Sequence, residues 1–395
     1  MRQVAQCADH WTGVDSRSGN ARLAQSPSVF VMIDSFRTGG TERQFVTLVR
    51  SLDPTAFQVH LGCLQATGGF YEGFSCVPEF RLGGSLYKLR SWKARWLLSR
   101  HLRECGAAIA HAFDFYTNLT LIPAARIARV PVVFGSHRQV GDLLTAGQFQ
   151  AQALVFRWCN KVICNSRAAA SKLLACGLDE RKIAIIGNGI EETAFARTQP
   201  ALPRVSGVLR IGMIARMNAR YKNHEMFLRA AAWLCQRFSE LKFLLVGEGP
   251  LRLELEQLVE ALRIKDRVQF LGERFDITAI LASLDMVVIP SASESMSNVA
   301  LESMAAGVPV VATNVGGNPE LLSDDRGVLF PAGNETALCL SLERLLRDEG
   351  LRSWIGGRAR RFAEANFKTK YIVKQYEELY FEELQRGTRW SRKYA

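Results

Sequence analysis

One segment, from Asp285 to Ala312, limits the fold of this chain more than any other. It reads DMVVIPSASESMSNVALESMAAGVPVVA, so an apolar run, a serine-rich loop, a helical stretch and a second apolar run follow one another. The first run, residues 286–289, is apolar on both faces, as in a buried parallel strand. Asn298 is predicted to cap the helix and Gly307 to end it. The segment therefore predicts a strand–loop–helix–strand unit of an open α/β sheet, where ligands bind at the carboxyl ends of strands.

Two carboxylates frame the loop and the helix start of this segment. Glu294 lies in the loop, and Glu302 lies about one turn inside the helix. The N–H groups of Ser297, Asn298 and Val299 favour an anion, whereas carboxylates accept hydrogen bonds from hydroxyls and repel phosphate. The pattern therefore predicts a ligand with phosphate in its middle and sugar hydroxyls on either side, such as a nucleotide sugar. Two arbitrary glutamates would more often be solvated surface residues.

The stretch PSASESMSNVALESMAAGVPVVAT, with NVGGNPELL after it, resembles the donor-site signature of the retaining glycosyltransferases of family four. The likeness extends from Val29 to about Tyr380. It implies the α/β fold GT-B, in which two Rossmann-like domains face a cleft and a C-terminal helix returns to the first domain. It also implies transfer of a hexose-type sugar from a nucleotide diphosphate sugar, such as a UDP- or GDP-sugar, to a hydroxyl group, with retention.

The length of the chain also favours two domains, because 395 residues are too many for one compact core. The segment 192–207 contains two prolines and no periodic pattern, and it is the predicted boundary. The predicted parts are a disordered leader, residues 1–26; an N-terminal, acceptor-side Rossmann-like domain, residues 27–200; a C-terminal, nucleotide-sugar-binding Rossmann-like domain, residues 208–370; and a terminal helix packing back on the first domain, residues 371–395.

Composition narrows the class of protein. No apolar run approaches the ~20 residues of a membrane span, which predicts a soluble protein. The nine cysteines have no metal-like pairing and favour free thiols in a reducing cytoplasm. Residues 1–200 hold 23 Lys and Arg against 14 Asp and Glu, whereas residues 201–395 hold 27 against 24. The basic half could face an anionic membrane, nucleic acid or a phosphorylated acceptor, but no motif supports nucleic acid, and none is predicted as a partner.

A basic helical pattern covers residues 87–104, with leucines and tryptophans between the lysines and arginines. A helix of this kind can lie on an anionic membrane surface. An ordinary surface helix with a solvated basic face explains the pattern at least as well. Peripheral membrane contact is therefore one of two open interpretations.

The second half of the chain restarts the strand–loop–helix pattern at residue 208. Arg216 and Lys222 flank the loop ARMNARYKNH, where cations can neutralise a diphosphate. Basic loop residues can also serve solubility alone, but the same residues recur in this context in the resembling family. By the same resemblance, Gly247 lies at the donor, and the turn at Leu271 contacts its base through backbone groups.

In the N-terminal half, a strand over residues 28–34 runs into Gly39 and Gly40, and a helix follows. Glycine lets the backbone approach a phosphate, although an ordinary tight turn fits the pattern as well. Two further strands should end in polar residues that point into the cleft. The resemblance implies that His137, at one of these ends, contacts the transferring sugar or the diphosphate. The residues predicted on the acceptor side are Asp114 and Arg138.

The resemblance also implies roles in catalysis. Arg216 and Lys222, with the helix start at Asn298, would stabilise the departing diphosphate, whose charge grows in the transition state. Glu302 would hold the ribose, and Glu294 would hold the transferred sugar. The backbone N–H groups predicted to assist are those of Ser295 and Met296.

No carboxylate pair typical of a metal-dependent transferase appears in the cleft loops, so neither metal nor cofactor is predicted. Retention would then follow front-face attack, with a donor phosphate oxygen taking the acceptor proton, as the family implies. The predicted acceptor is a glycan or lipid-linked hydroxyl in cell-envelope polysaccharide or glycolipid synthesis, at the inner face of the cytoplasmic membrane. Two alternatives remain open, a nucleotide-sugar epimerase of GT-B fold, which needs no acceptor, and a non-catalytic sugar-nucleotide-binding scaffold.

Overall fold

The computed structural model describes residues 26–74, 76–83 and 89–394, and within them the strands form two parallel sheets of six strands each. The strands of the first sheet are β1 (Ser28–Ser35), β2 (Gln58–Gln65), β3 (Ile109–Ala112), β4 (Val132–His137), β5 (Lys161–Cys164) and β6 (Ile183–Ile185), in the order β2-β1-β3-β4-β5-β6. Those of the second are β7 (Leu209–Ile214), β8 (Leu241–Val246), β9 (Val268–Phe270), β10 (Met286–Ile289), β11 (Val310–Thr313) and β12 (Val328–Phe330), in the order β12-β11-β10-β7-β8-β9.

Helices connect most of the strands. They are α1 (Gly40–Ser51), α2 (Leu89–Glu104), α3 (Phe115–Ala128), α4 (Ala146–Phe156), α5 (Arg167–Ala175), α6 (His224–Cys235), α7 (Arg252–Ala261), α8 (Ile277–Ala282), α9 (Asn298–Ala306), α10 (Asn318–Leu322), α11 (Glu335–Arg347), α12 (Glu349–Asn366) and α13 (Thr369–Tyr394). The predicted α/β class is therefore confirmed. Within the described ranges, no helix combines the length and the apolar character that crossing a membrane requires.

The chain divides into two compact units. One consists of the described residues up to Ser136, with Val155–Asn160 and the chain from Tyr380 onward; the other consists of His137–Leu154 and Lys161–Leu379. Because this division does not follow the segment 192–207, the predicted domain bounds stay a prediction. Most of the predicted leader, and residues 87 and 88 of the predicted basic helix, lie outside the described residues.

The predicted strand–loop–helix–strand segment, residues 285–312, is present in the second compact unit as β10, α9 and β11. All four residues of β10 are buried, as the apolar run predicts, and α9 buries Leu301 and Met304 against the same sheet. Gly307 ends α9 in the left-handed conformation, with φ at 75°. The predicted cap is wrong by one residue, because the Ser297 hydroxyl accepts the N–H of Ala300, and Asn298 is the first helical residue.

The C-terminal part of the chain forms two helices, α12 and α13, rather than one continuous helix. The break occurs where the backbone pairs with another segment. The N–H of Ile190 donates to the Phe367 carbonyl at 2.7 Å, and the Thr369 N–H donates to the Ile190 carbonyl at 2.9 Å. These bonds take backbone groups from the helical pattern, and no glycine or proline marks the site in the sequence.

The last part of α13 belongs to the first unit through Tyr380, which is fully buried there. Its ring packs against Phe57 and Phe134, with centroids 5.8 and 5.1 Å apart. Its hydroxyl lies 2.7 Å from Nδ1 of His111, whose Nε2 lies 2.7 Å from the Ser136 hydroxyl. Because the buried polar groups are hydrogen-bonded, the tyrosine can anchor the helix without a desolvation penalty.

Candidate active site

Lys222 and Glu294, both predicted to be catalytic, form an ion pair in the second unit. Lys222 ends a short helical turn after β7, and Glu294 lies in the loop after β10, the strand beside β7. The Lys222 Nζ lies 2.6 Å from the Glu294 Oε1, and the side chains are 23% and 10% exposed. The Ala292 N–H also donates to the Tyr221 carbonyl at 2.7 Å, which joins the two loops. The carboxyl ends of β7 and β10 therefore bring a cation and an anion together.

Two glycines, Gly316 and Gly317, pack closely against the backbone of Glu294 and Ser295. The Gly317 N–H donates to the Glu294 carbonyl at 3.1 Å. A Cβ at Gly316 would lie 1.6 Å from that carbonyl oxygen, and a Cβ at Gly317 would lie 1.8 Å from the Ser295 carbonyl oxygen. Gly316 also has a φ of 52°, in the left-handed region. Only glycines fit this close backbone approach, which fixes the loop that carries Glu294.

A chain of side-chain hydrogen bonds leads from Arg138 to the start of α9. The guanidinium of Arg138 donates to the Asn188 Oδ1 at 2.6 Å and to the Tyr376 hydroxyl at 3.1 Å. The Asn188 amide in turn donates to the Asn298 Oδ1 at 2.7 Å. The side chain of Asn298 thus accepts a hydrogen bond from Asn188 rather than capping the helix. The acceptor role predicted for Arg138 stays a prediction.

Ser295 and Met296, predicted to contact the donor, are held by buried polar groups. The Ser295 hydroxyl donates to the Asn165 Oδ1 and lies 3.2 Å from the Ser166 hydroxyl. The Met296 sulfur accepts the Asn188 N–H at 3.2 Å, and its carbonyl accepts the Asn188 amide at 3.3 Å. Asn165 and Asn188 therefore support the loop after β10. No sequence pattern predicts a role for either residue, and the one local signal is the turn Asn188-Gly189 before the predicted linker.

Arg216 and Arg220 lie in the loop after β7, and only Arg220 has strong ionic partners. It pairs with Glu225 at 3.0 Å and with Glu254 at 2.8 Å, which joins the loop to α6 and α7. Because these pairs are exposed to solvent, they contribute little to stability. Arg216 is exposed at the carboxyl end of β7. Its contact with a diphosphate remains a prediction.

Gly247 packs the loops that follow β7, β8 and β9 against one another. Its φ is 136°, and a Cβ there would lie 2.2 Å from the Ala215 carbonyl oxygen. Its N–H donates to the Gly272 carbonyl at 2.8 Å, beside the predicted base-reading turn at Leu271. Because that N–H already has an acceptor, Gly247 supports the loop before Arg216 by close packing. A donor contact of Gly247 or Leu271 stays a prediction.

Glu302 and Val299 lie on α9, where each is half-buried. Glu302 stands between Leu301 and Ser303, which face the core, so its backbone position is fixed by packing. Its predicted contact with the ribose, like that of the N–H groups at Ser297, Asn298 and Val299 with phosphate, stays a prediction. Within the residues that the structure describes, no group of three or more His, Cys, Asp and Glu could hold a metal ion.

His137 is the last residue of β4. The side chain is fully buried, and its ring packs against Phe149 with centroids 5.8 Å apart. Burial lowers the pKa of His137 to about 4. The imidazole is therefore neutral at neutral pH and carries no positive charge. Its predicted catalytic role is untested.

Asp114 and the pair Gly39-Gly40 lie in the first unit, at neighbouring strands β3 and β1. Gly39 is the extended N-cap of α1, where the Glu42 carboxylate occupies the place of a Cβ. Asp114 caps α3, accepting the Thr117 N–H at 3.0 Å and the Asp34 N–H at 2.6 Å. Burial, with the nearby charge of Asp34, raises the pKa of Asp114 to about 7. Their predicted contacts with donor and acceptor remain predictions.

The raised pKa of Asp114 predicts an unusual pH dependence of stability. Between about pH 4 and pH 7 the native state binds more protons at this group than the unfolded state, so its contribution to stability falls as pH rises. Asp114→Asn keeps a capping oxygen but cannot ionise. We expect the melting temperature of the variant, relative to wild type, to increase from about pH 5 to about pH 8.

Asp179→Asn is the matched control for this experiment. Asp179 also caps a helical turn, but hydrogen bonds from Arg181 lower its pKa, so it stays ionised over this whole range. Its melting-temperature difference from wild type should therefore not change between about pH 5 and about pH 8. A flat difference for Asp114→Asn as well would contradict the assigned pKa.

Comparisons with known proteins agree with this architecture. The family "Glycosyltransferase Family 4" matches residues 38–193, and "Glycosyl transferases group 1" matches residues 209–348. N-acetyl-alpha-D-glucosaminyl L-malate synthase of Bacillus anthracis is 41% identical over 146 residues, which are 37% of this chain and 38% of that protein. The lipopolysaccharide core biosynthesis glycosyltransferase LpsD of Rhizobium meliloti is 25% identical over 361 residues, 87% of this chain and 95% of LpsD.

Among solved structures, HepE of Anabaena in complex with UDP superposes with a TM-score of 0.78. It is 21% identical and covers 89% of this chain and 99% of HepE, which is a likeness of fold. HepE has also been solved in complex with UDP-glucose. The matched families span β2 to β6 of the first sheet and all six strands of the second. The chain belongs to the group 1 glycosyltransferases and has the GT-B fold.

Proposed function

We propose that this chain is a retaining transferase that moves a hexose-type sugar from a nucleotide diphosphate sugar to a hydroxyl of a glycan or lipid-linked acceptor. The observation that carries the proposal is the Lys222–Glu294 ion pair, 2.6 Å long, at the carboxyl ends of β7 and β10. There, a cation that can bind phosphate contacts an anion that can accept hydrogen bonds from hydroxyls, and the loop that carries Glu294 leads into α9. The cation suits the phosphate groups of a sugar diphosphate, and the anion suits its sugar hydroxyls.

In this proposal the donor's diphosphate lies at the N-terminus of α9, beside Lys222 and Arg216. The Lys222 ammonium has several N–H groups, so it can keep its bond to Glu294 and still donate to phosphate. Stabilisation grows as the diphosphate leaves and its charge increases. Glu294 accepts hydrogen bonds from the transferred sugar, and Glu302 accepts them from the ribose.

The proposed reaction keeps the anomeric configuration and needs no divalent ion. The acceptor hydroxyl attacks the face that the diphosphate leaves, and a phosphate oxygen of the donor takes its proton. Cationic side chains stabilise the negative charge of the diphosphate, as a divalent metal ion does in other transferases. The family supports retention, and the UDP and UDP-glucose complexes of HepE support a UDP-sugar as the first donor to test.

The proposed setting is cell-envelope polysaccharide or glycolipid synthesis at the cytoplasmic face of the membrane. The support for it is the printed role of LpsD in lipopolysaccharide core biosynthesis, together with the reducing compartment expected from the cysteine pattern. Peripheral contact with an anionic membrane would bring the enzyme to a lipid-linked acceptor.

The test is a thermal-shift screen of UDP-, GDP-, ADP- and TDP-sugars with EDTA present, followed by turnover with candidate acceptors. A bound donor stabilises the native state by about 2.7 kcal/mol at a concentration of 100 Kd, so a cognate donor should raise the melting temperature selectively. We expect a UDP-sugar to do so and turnover to survive EDTA. Activity lost in EDTA and restored by magnesium or manganese would refute metal independence. No shift with any donor would refute the donor site, and product from donor alone would indicate an epimerase.

A further inference from the structure

Helix α2 carries large apolar side chains on its outward side as well as on its buried side. Towards the core it buries Ala94, Leu98 and Leu102. The outward side carries four large apolar side chains with high exposed fractions, Leu89 (87%), Trp92 (62%), Trp96 (57%) and Leu97 (42%). An ordinary surface helix turns a polar face to water, so the outward side of α2 needs another explanation.

The neighbouring helix α3 extends the same apolar surface. Ile127, near the end of α3, is 52% exposed. Together with Trp92 and Trp96 it lines a shallow depression of about 410 Å³, beside Lys93 and Arg95. We name this surface the tryptophan face, and its members are Leu89, Trp92, Trp96, Leu97 and Ile127. It lies entirely within the first unit.

One of the two indoles is held in place by a buried arginine. The guanidinium of Arg95 lies 5.5 Å from the centre of the Trp92 ring and donates to the Leu119 carbonyl at 3.2 Å. Arg95 is only 9% exposed, so α3 fixes it and it fixes the ring. The Trp92 indole is therefore held in one orientation although it is exposed, and little side-chain entropy is lost when another molecule covers it.

The tryptophan face is surrounded by positive charge. Helix α2 has a single carboxylate, that of Glu104, which Arg100 neutralises at 2.7 Å. The Arg103 guanidinium donates to the Ile127 carbonyl at 2.9 Å, which brings a cation to the edge of the depression. The exposed cations on this helix are Arg90, Lys93, Arg100 and Arg103.

These features favour an anionic bilayer over other occupants. Tryptophan is enriched at the membrane–water interface, and basic side chains are attracted to an anionic membrane surface. A second copy of the chain would bring two sets of cations together, which opposes self-association. A nucleic acid would stack on the indoles, but it would leave Leu89, Leu97 and Ile127 without apolar partners.

We propose that the tryptophan face docks on an anionic lipid bilayer, with Trp92 and Trp96 at headgroup level and the surrounding cations on lipid phosphates. This inference deepens the proposed lipid-linked acceptor, on which it rests for its biological purpose, but the docking itself needs neither donor nor acceptor. Interfacial tryptophans supply the apolar contact, and the cations supply the preference for anionic headgroups.

The experiment measures co-sedimentation of the full chain with vesicles of phosphatidylglycerol and phosphatidylcholine, and with phosphatidylcholine alone. Wild type should bind the anionic vesicles at low salt and dissociate as salt rises. The double variant Trp92→Ala/Trp96→Ala should bind ~10-fold more weakly or worse, because the two indoles supply most of the apolar contact. Brominated lipids should quench tryptophan fluorescence in wild type and much less in the double variant.

Trp354→Ala is the matched control, since Trp354 is 47% exposed and also lies 5.2 Å from an arginine, Arg358, but in the second unit. It should bind vesicles like wild type. A thermal shift with the cognate UDP-sugar reports whether the double variant is folded, and it tests the donor site separately from docking. Equal vesicle binding by wild type and the double variant, or wild type that ignores anionic vesicles, would overturn the proposal. A concentration-dependent dimer that the double variant abolishes would assign the face to self-association instead.

Discussion

Replacement of Lys222 by alanine is expected to lower kcat/KM by about 10²–10³-fold, because the leaving diphosphate would lose a positioned cation while its charge grows. The ammonium is fixed before the donor arrives, since its Nζ lies 2.6 Å from Glu294 and its side chain is 23% exposed. The loss should appear in kcat more than in KM, because the contact strengthens in the transition state. Steady-state kinetics with the donor found by thermal shift measures both.

Lys265→Ala is the control for a lost lysine. Lys265 pairs with Glu260 in the same unit, but its side chain is 70% exposed and lies outside the loops after β7 and β10. Removal of this exposed pair should leave both kinetic constants at their wild-type values. If Lys222→Ala behaves like Lys265→Ala, Lys222 has no catalytic role.

A second comparison separates catalysis from support of the loop. Removal of Lys222 alone leaves the Glu294 carboxylate, 10% exposed, without its ion pair, and this alone could disturb the site. The variant Lys222→Met/Glu294→Gln removes both charges at nearly constant volume. If the pair only supports the loop, this variant should recover stability and activity together. We expect it to recover the melting temperature and to remain inactive.

The sequence predicted the elements that carry the site, because their signals are local. The apolar run 286–289 and the glycine at 307 gave β10 and the end of α9 at the residues where the structure has them. Parallel strands bring their carboxyl ends to one edge, so Lys222 and Glu294 could be expected near each other although they are 72 residues apart. In the structure they are in direct contact.

The contacts that support the site could not be predicted in this way. Asn188 and Asn298 are 110 residues apart, and neither their hydrogen bond nor that of Arg138 leaves a periodic pattern in the sequence. Propensity also ranks asparagine and serine almost equally as helix caps, so the choice of Ser297 depends on Asn298 having a distant partner. The division between α12 and α13 at Phe367 likewise depends on the backbone of Ile190, far away in the chain.

Gly316→Ala is expected to destabilise the protein by at least about 2 kcal/mol and to abolish most turnover. The new methyl group would lie 1.6 Å from the Glu294 carbonyl oxygen, and backbone atoms cannot move aside as a side chain can. The loop after β10 would therefore shift, and Glu294 would move with it relative to Lys222. Thermal unfolding and kcat measure the two effects.

Gly333→Ala isolates the cost of the backbone conformation alone. Gly333 has a φ of 76°, as unfavourable for alanine as the 52° of Gly316, but a Cβ there meets no atom within 4 Å. Its replacement should cost about 1 kcal/mol and leave turnover unchanged. If both variants lose the same stability and both keep wild-type turnover, the close approach of Gly316 to Glu294 does not position the loop after β10. A larger loss confined to Gly316→Ala is expected, because backbone strain and the steric clash then both act at the residue that packs against Glu294.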